Sequence, residues 1–222
     1  DAAERHAAAA LAAGRATGDL GLEAGALNAL GGIASDRREL ERAREFHTLS
    51  LELARRANRL SSEAIVLGNL GDIAYQLGDY AAARAYGQSA RERFQELGQL
   101  PGMVIALGNV AQADLKLGDA GAARRSAREA LLLARSLGSL PDILWAVYLF
   151  GQILAETGQE ARALALYGLA RAHPALENQT RLEIDEEIVR LKLPDDEVAA
   201  GLAAGAGLEL EAVVEEILAG KW

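Results

Sequence analysis

The residues of this chain that could do acid–base or metal chemistry do not converge. Its three histidines, His6, His47 and His173, are scattered along the sequence, and it contains no cysteine. The carboxylate runs 185–187 and 195–197 occupy consecutive positions, which point in different directions on a helix, whereas a metal or an acid–base pair needs convergent groups. No Gly-rich phosphate loop ending in Lys-Ser or Lys-Thr is present. We therefore expect no catalytic residue, metal site or cofactor, and no enzyme.

The elements that position the remaining polar residues repeat every forty residues. Leu30, Leu70, Val110 and Phe150 share one register of this repeat. A second register is occupied by alanine in all four copies: Ala43, Ala83, Ala123 and Ala163. A fixed period in this range indicates a stacked array of small structural units rather than one globular core. Such arrays present a surface more often than they carry out chemistry.

Each unit reads as a helix–turn–helix hairpin. Apolar residues recur at three- and four-residue spacing over 64–77, which predicts a first helix. Gly78-Asp79 then ends one helix and caps the next, which we expect over 80–97. Pro101 fits the first turn of the helix that follows. High alanine content and only four prolines, all near expected helix boundaries, predict an all-α fold.

The period divides the chain into an array, 1–175, and a different segment, 176–222. Counting units gives a half repeat at 1–22 and hairpins at about 24–63, 64–103, 104–143 and 144–174. The chain thus begins in mid-repeat, which suggests the C-terminal piece of a larger protein, or a first helix that acts as a natural cap. An uncovered half repeat could also stack on a second copy. Residues 176–222 read as an acidic helical cap.

Charge and composition limit the classes of partner that we expect the chain to bind. Residues 176–222 hold twelve acidic and four basic residues, whereas 1–175 are almost neutral. Neither part has the basic footprint of a nucleic-acid-binding domain. No apolar run approaches the roughly 18–20 residues that span a bilayer, and no signal peptide is visible. The absence of cysteine fits a cytoplasmic protein.

The polar and aromatic positions that flank the Leu-Gly pair of each first helix are the candidate binding residues, because first helices line the concave groove of such arrays. They are Asn28, Asn69, Asp72, Tyr75, Gln76, Asn109, Gln112, Lys116, Trp145, Tyr148 and Gln152. Amides pair with a peptide backbone and aromatic rings supply apolar anchors. With Lys116 as the only cation of the set, a neutral or basic peptide or a small effector fits better than an acidic ligand.

Two alternatives remain open for these positions. Asn69 and Asn109 precede similar apolar residues in neighbouring units, so they could bond within the array instead of to a ligand. Trp145 and Tyr148 could be core residues of the last hairpin.

The repeat resembles the tetratricopeptide repeat. The residues that match are Leu67, Leu70, Gly71, Ala74, Gly78, Asp79, Tyr80, Ala83 and Ala90, and then Leu107, Gly118, Asp119, Ala123 and Ala130. The resemblance covers most of the chain. It departs in its period of forty rather than thirty-four residues, and in the displaced prolines, Pro101 and Pro141. It implies a right-handed superhelical solenoid of helical hairpins that binds a protein or peptide.

The long, Ala- and Arg-rich repeats look like those of large bacterial regulators, in which a signalling ATPase module precedes the array. The ending over 201–213 is similar to the tail of several of these proteins. That resemblance implies an interaction or effector-sensing module of a signalling ATPase or transcriptional regulator. The alternatives are a free-standing adaptor that bridges partners and a self-assembly element.

Overall fold

The computed structural model describes residues 2–222, which form twelve α-helices. They are α1 (Ala2–Thr17), α2 (Leu20–Asp36), α3 (Leu40–Arg56), α4 (Leu60–Gln76), α5 (Tyr80–Glu96), α6 (Leu100–Lys116), α7 (Ala120–Leu137), α8 (Leu140–Glu156), α9 (Glu160–Ala172), α10 (Asn178–Leu191), α11 (Asp195–Ala206) and α12 (Leu210–Leu218). Successive helices pair as hairpins, for example α2 with α3, α4 with α5, and α8 with α9. The all-α class and the tandem hairpins predicted from the sequence are confirmed.

The turns between these helices share one backbone conformation. A residue with positive φ ends every helix from α1 to α8, at a spacing of twenty residues: Gly18, Arg38, Asn58, Gly78, Gly98, Gly118, Gly138 and Gly158. Glycine adopts this left-handed conformation without steric cost, which is why it holds six of the eight positions. After three of these turns an aspartate accepts a hydrogen bond from the new helix, as Asp79 does from the Ala82 amide at 3.0 Å.

The first helix of each hairpin begins earlier than its apolar pattern predicts. Helix α4 starts at Leu60 rather than at Ala64. The cause is the compact turn: Asn58 is left-handed, and the chain is helical again two residues later. Pro101 then occupies the second position of α6, where the amide hydrogen that proline lacks has no partner inside the helix.

The helices fall into two compact units, one ending at Ala113 and the other running from Asp114 to Trp222. In the first unit, small residues let successive helices approach. Ala34 and Ala43 pack with Ile73 of the next hairpin, and Ala74 and Ala83 pack with Ala113 in the same manner. Within this unit, the alanine register seen in the sequence therefore lies where one hairpin meets the next.

In the second unit, the middle of the hairpin α8–α9 is buried, and C-terminal helices pack against it. Helix α11 lies so close to α9 that a Cβ added at Gly205 would stand 2.0 Å from the Ala165 carbonyl oxygen, and one at Gly168 would stand 2.3 Å from that of Leu202. Helix α12 lies against α7. Helices α10 to α12 make up the C-terminal part of this unit.

Candidate binding surface on the first helices of the hairpins

In the first unit, the predicted polar positions form a ladder of hydrogen bonds between neighbouring first helices. The Asn69 Nδ2 atom of α4 donates to Asn28 Oδ1 of α2 at 2.9 Å. One hairpin further, Asn109 Nδ2 of α6 donates to Asp72 Oδ1 of α4 at 2.7 Å. The residue pairs are separated by 41 and 37 positions, close to one repeat. These amides thus bond within the array, the alternative that the sequence left open for Asn69 and Asn109.

The ladder leaves hydrogen-bonding capacity on the surface. A side-chain amide has two N–H donors and an acceptor oxygen, so one bond to a neighbouring repeat does not exhaust it. Asn28, Asn69 and Asn109 are half-buried and Asp72 is exposed. The internal bonds fix the orientation of the amides and hence the direction of their remaining groups.

The other predicted positions of this unit lie in the last turns of the same helices. Gln76 is exposed and accepts a hydrogen bond from Arg38 at 3.1 Å. Tyr75 is half-buried, with its ring 5.3 Å from that of Tyr80 in an edge-to-face arrangement. Gln112 is half-buried on α6. These side chains extend the polar surface along the ladder.

The sequence reading missed an apolar component of this surface. Ile65 and Ile105 lie one helical turn before Asn69 and Asn109, and they are 48% and 53% exposed. Both isoleucines occupy the same register of the forty-residue repeat, which is the signal that could have identified them. Exposed aliphatic side chains beside fixed amides provide the two kinds of contact that peptide recognition uses.

Glycines on the same helices leave the backbone uncovered. A Cβ added at Gly25 of α2 or Gly68 of α4 would meet nothing within 4 Å. Packing inside the chain therefore does not require glycine there, although glycine in a helix interior costs about 1 kcal/mol relative to alanine. Helices α2 and α4 thus offer backbone to a close contact from outside.

In the second unit, two of the predicted binding residues are core residues. Tyr148 is 2% exposed, and its ring lies 6.0 Å from that of Tyr167. Gln152 is also buried; its Nε2 atom donates to the Tyr148 hydroxyl at 2.8 Å and to Glu187 of α10 at 3.3 Å. Burial raises the pKa of Tyr167 far above its usual range. Helix α10 therefore covers this part of α8.

The remaining predicted positions of this unit stay nearer the surface. Trp145 is half-buried on α8. The ammonium group of Lys116 lies 2.8 Å from the carboxylate of Glu156, one repeat further along. This bridge pairs the one cation of the predicted set within the second unit.

No group of three or more His, Asp or Glu residues within 2–222 is placed to hold a metal ion. In the same stretch of chain, no helix is long and apolar enough to cross a membrane.

Tandem helical hairpins that carry regularly spaced side chains define a protein-interaction repeat module. The model of the family described as Tetratricopeptide repeat matches residues 22–96 and again 62–136. Together these matches cover slightly more than half of the chain, and the chain belongs to the tetratricopeptide repeat family. A comparison with curated proteins found no match. Folds of this family are typically non-catalytic.

Proposed function

We propose that the first-helix face of α2, α4 and α6 binds an extended, neutral or basic peptide segment of a partner protein. The observation that carries this proposal is the exposure of Ile65 and Ile105 in one register, each one helical turn before an asparagine held in place by the neighbouring repeat. The isoleucines supply apolar contacts and the asparagines bond the peptide backbone. Gly25 and Gly68 let that backbone approach.

The charge of this face supports the choice of ligand. Asp72 is exposed and carries negative charge beside the amide ladder, and Gln76 and Gln112 are uncharged. A carboxylate-rich peptide would meet no cluster of arginines on this face, whereas a basic side chain would meet Asp72. A small effector with an amide and an aliphatic group would use the same contacts.

The test is binding of the full chain to an array of extended peptides that differ in charge and apolar content. We expect Ile65→Ser/Ile105→Ser to weaken capture by about tenfold or more, because losing one buried aliphatic contact costs about 1.5–3 kcal/mol. Leu49→Ser is the matched control, since Leu49 is equally exposed, at 47%, but lies on the second helix α3. Equal capture by the isoleucine variant, or a preference for acidic peptides, would reject the proposal.

The wider setting that we infer is a sensing module of a cytoplasmic bacterial signalling ATPase or transcriptional regulator. The Ala- and Arg-rich repeats of forty residues and the 201–213 tail, similar in style to such regulators, support this setting. Ligand on the first-helix face would then bias the ATPase between states. A reading frame that encodes a nucleotide-binding module ahead of these repeats would support the inference, and one without it would favour a free-standing adaptor.

A further inference from the structure

A second surface, on the outer side of α7, is basic and already holds a helix. Helix α7 carries four arginines and a single acid, Glu129. Three of the arginines contact the C-terminal segment. Arg135 pairs with Glu211 and, at 3.4 Å, with Glu215. Arg128 donates to the Leu218 carbonyl oxygen and Arg124 to that of Trp222.

The segment held by these arginines is an acidic amphipathic helix. Val213, Val214 and Ile217 of α12 are buried. Glu211 and Glu215 are four residues apart, so they share a face and one guanidinium reaches both. Over 209–222 there are four glutamates and one lysine, opposite in sign to α7.

Helix α9 contacts the C-terminal end of this segment through Arg162. The Arg162 guanidinium lies over the Trp222 ring, 5.0 Å from its centroid. The same side chain donates to the Lys221 carbonyl oxygen at 2.5 Å. A ring stacked under a guanidinium gains cation–π attraction in addition to its apolar contact.

The polar contacts of this segment lie at the surface, whereas its apolar residues Val213, Val214 and Ile217 are buried. The guanidinium contacts of Arg128 and Arg135 are exposed. Three of the five hydrogen bonds that arginines make to this segment go to main-chain carbonyl oxygens, which any helix offers. The side chains of the segment that take part are two glutamates four residues apart, the Trp222 ring and the apolar groups of Val213, Val214 and Ile217. One helix of three turns in another protein is long enough to present these side chains.

We propose that the outer face of α7, together with Arg162, is a docking site for an acidic amphipathic helix of a partner protein, and that α12 occupies it as an internal competitor. The charge complementarity of the face and the helix seated on it carry the choice of ligand. This site lies on different helices from the peptide surface described above, and it is independent of that proposal.

The probe is a fluorescent peptide with the sequence of residues 208–222, and the readout is its anisotropy with the full chain. Glu211→Arg/Glu215→Arg changes exposed residues, leaves the fold intact and repels α12 from Arg135. If α12 fills the site about nine-tenths of the time, this variant binds the peptide about tenfold more tightly than the parent chain. Val214→Asp/Ile217→Asp frees α12 by a different route and gives the same result, with circular dichroism to verify its helix content.

The arginines are tested in the Val214→Asp/Ile217→Asp background, because Arg135→Glu would pair again with arginines placed at 211 and 215. Adding Arg128→Glu/Arg135→Glu removes peptide binding, whereas Arg125→Glu leaves it unchanged, because Arg125 is exposed on the same helix beside the contacting residues. A second peptide that keeps only the glutamate and apolar spacing binds as well, and a scrambled peptide of the same composition does not.

Three results would overturn the proposal. The first is an absence of peptide binding in both variants that free α12. The second is equal binding of the scrambled peptide, which would reduce the contact to unspecific charge attraction. The third is a dimer of the parent chain that Val214→Asp/Ile217→Asp abolishes, since the helix on α7 would then come from a second copy and not from a partner protein.

Discussion

The buried imidazole of His47 makes the stability of the chain depend on pH in a defined direction. His47 is 1% exposed, and its Nδ1 atom has no hydrogen-bond partner among residues 2–222. Its ring lies so close to α2 that a Cβ added at Gly31 would stand 2.6 Å from the imidazole Cε1 atom. Burial lowers the pKa of His47 from 6.5 to about 4, because the charged form would lose its hydration.

The direction of this pH dependence follows from the protons that the folded and unfolded chains bind. As the pH falls below 6.5, the unfolded chain protonates this histidine, but the folded chain does so only near pH 4. The stability associated with neutral His47 is therefore complete above pH 6.5 and is lost as the pH falls from 6.5 to about 4. Between about pH 7.5 and about pH 5, one such group lowers the free energy of unfolding by about 2 kcal/mol.

The measurement is urea unfolding followed by circular dichroism at several pH values between these limits. His47→Leu removes the titrating group and keeps an apolar side chain, so we expect its free energy of unfolding to fall by about 2 kcal/mol less than that of the parent chain over this range. His6→Leu is the control, because His6 is exposed on α1. Parallel curves for the parent chain and His47→Leu would refute the burial argument.

Three further substitutions test the packing, turn and charge arguments. Gly151→Ala places a Cβ 2.3 Å from the buried ring of Tyr167, so we expect a loss of about 1–3 kcal/mol in urea unfolding; an unchanged midpoint would contradict this close approach. Arg38→Gly relieves a positive φ of 62° and should add about 1 kcal/mol and raise the melting temperature; a lower melting temperature would show that no strain is present. The Glu63 side chain is 8% exposed, and its carboxylate lies 3.0 Å from the Arg55 guanidinium. We therefore expect Glu63→Gln to lower the free energy of unfolding by about 2 kcal/mol. A decrease within the error of urea unfolding would mean that this ion pair does not stabilise the fold.

The turns and the repeat period could be predicted from sequence because they depend on neighbouring residues. Gly78 adopts the left-handed conformation that its position suggests, and Asp79 caps the next helix. Alignment by forty residues places Arg38 in the register of Gly78, and Arg38 adopts the same conformation. The helix starts were less accurate, since the apolar pattern of α4 becomes regular four residues after the helix begins at Leu60.

Exposure of the candidate binding residues could not be predicted in the same way. The forty-residue pattern treats all first helices alike, yet Asp72 is exposed and Gln152, in the same register, is buried. The difference arises because α10 packs on α8 and brings Glu187 to Gln152. That contact joins segments 35 residues apart and belongs to no repeat. Registers therefore show which positions are equivalent, but the C-terminal helices decide which of them reach solvent.

The near-neutral charge of the array conceals a local separation of charge. Helix α7 is basic, and its Arg135 pairs with Glu211 and Glu215 of α12. A competing helix must replace the buried contacts of Val213, Val214 and Ile217 as well as the ion pairs. Exposed ion pairs alone contribute about 0–1 kcal/mol each, so an acidic chain without the apolar residues does not displace α12. The requirement for both features is what would make the α7 face selective for one class of helix.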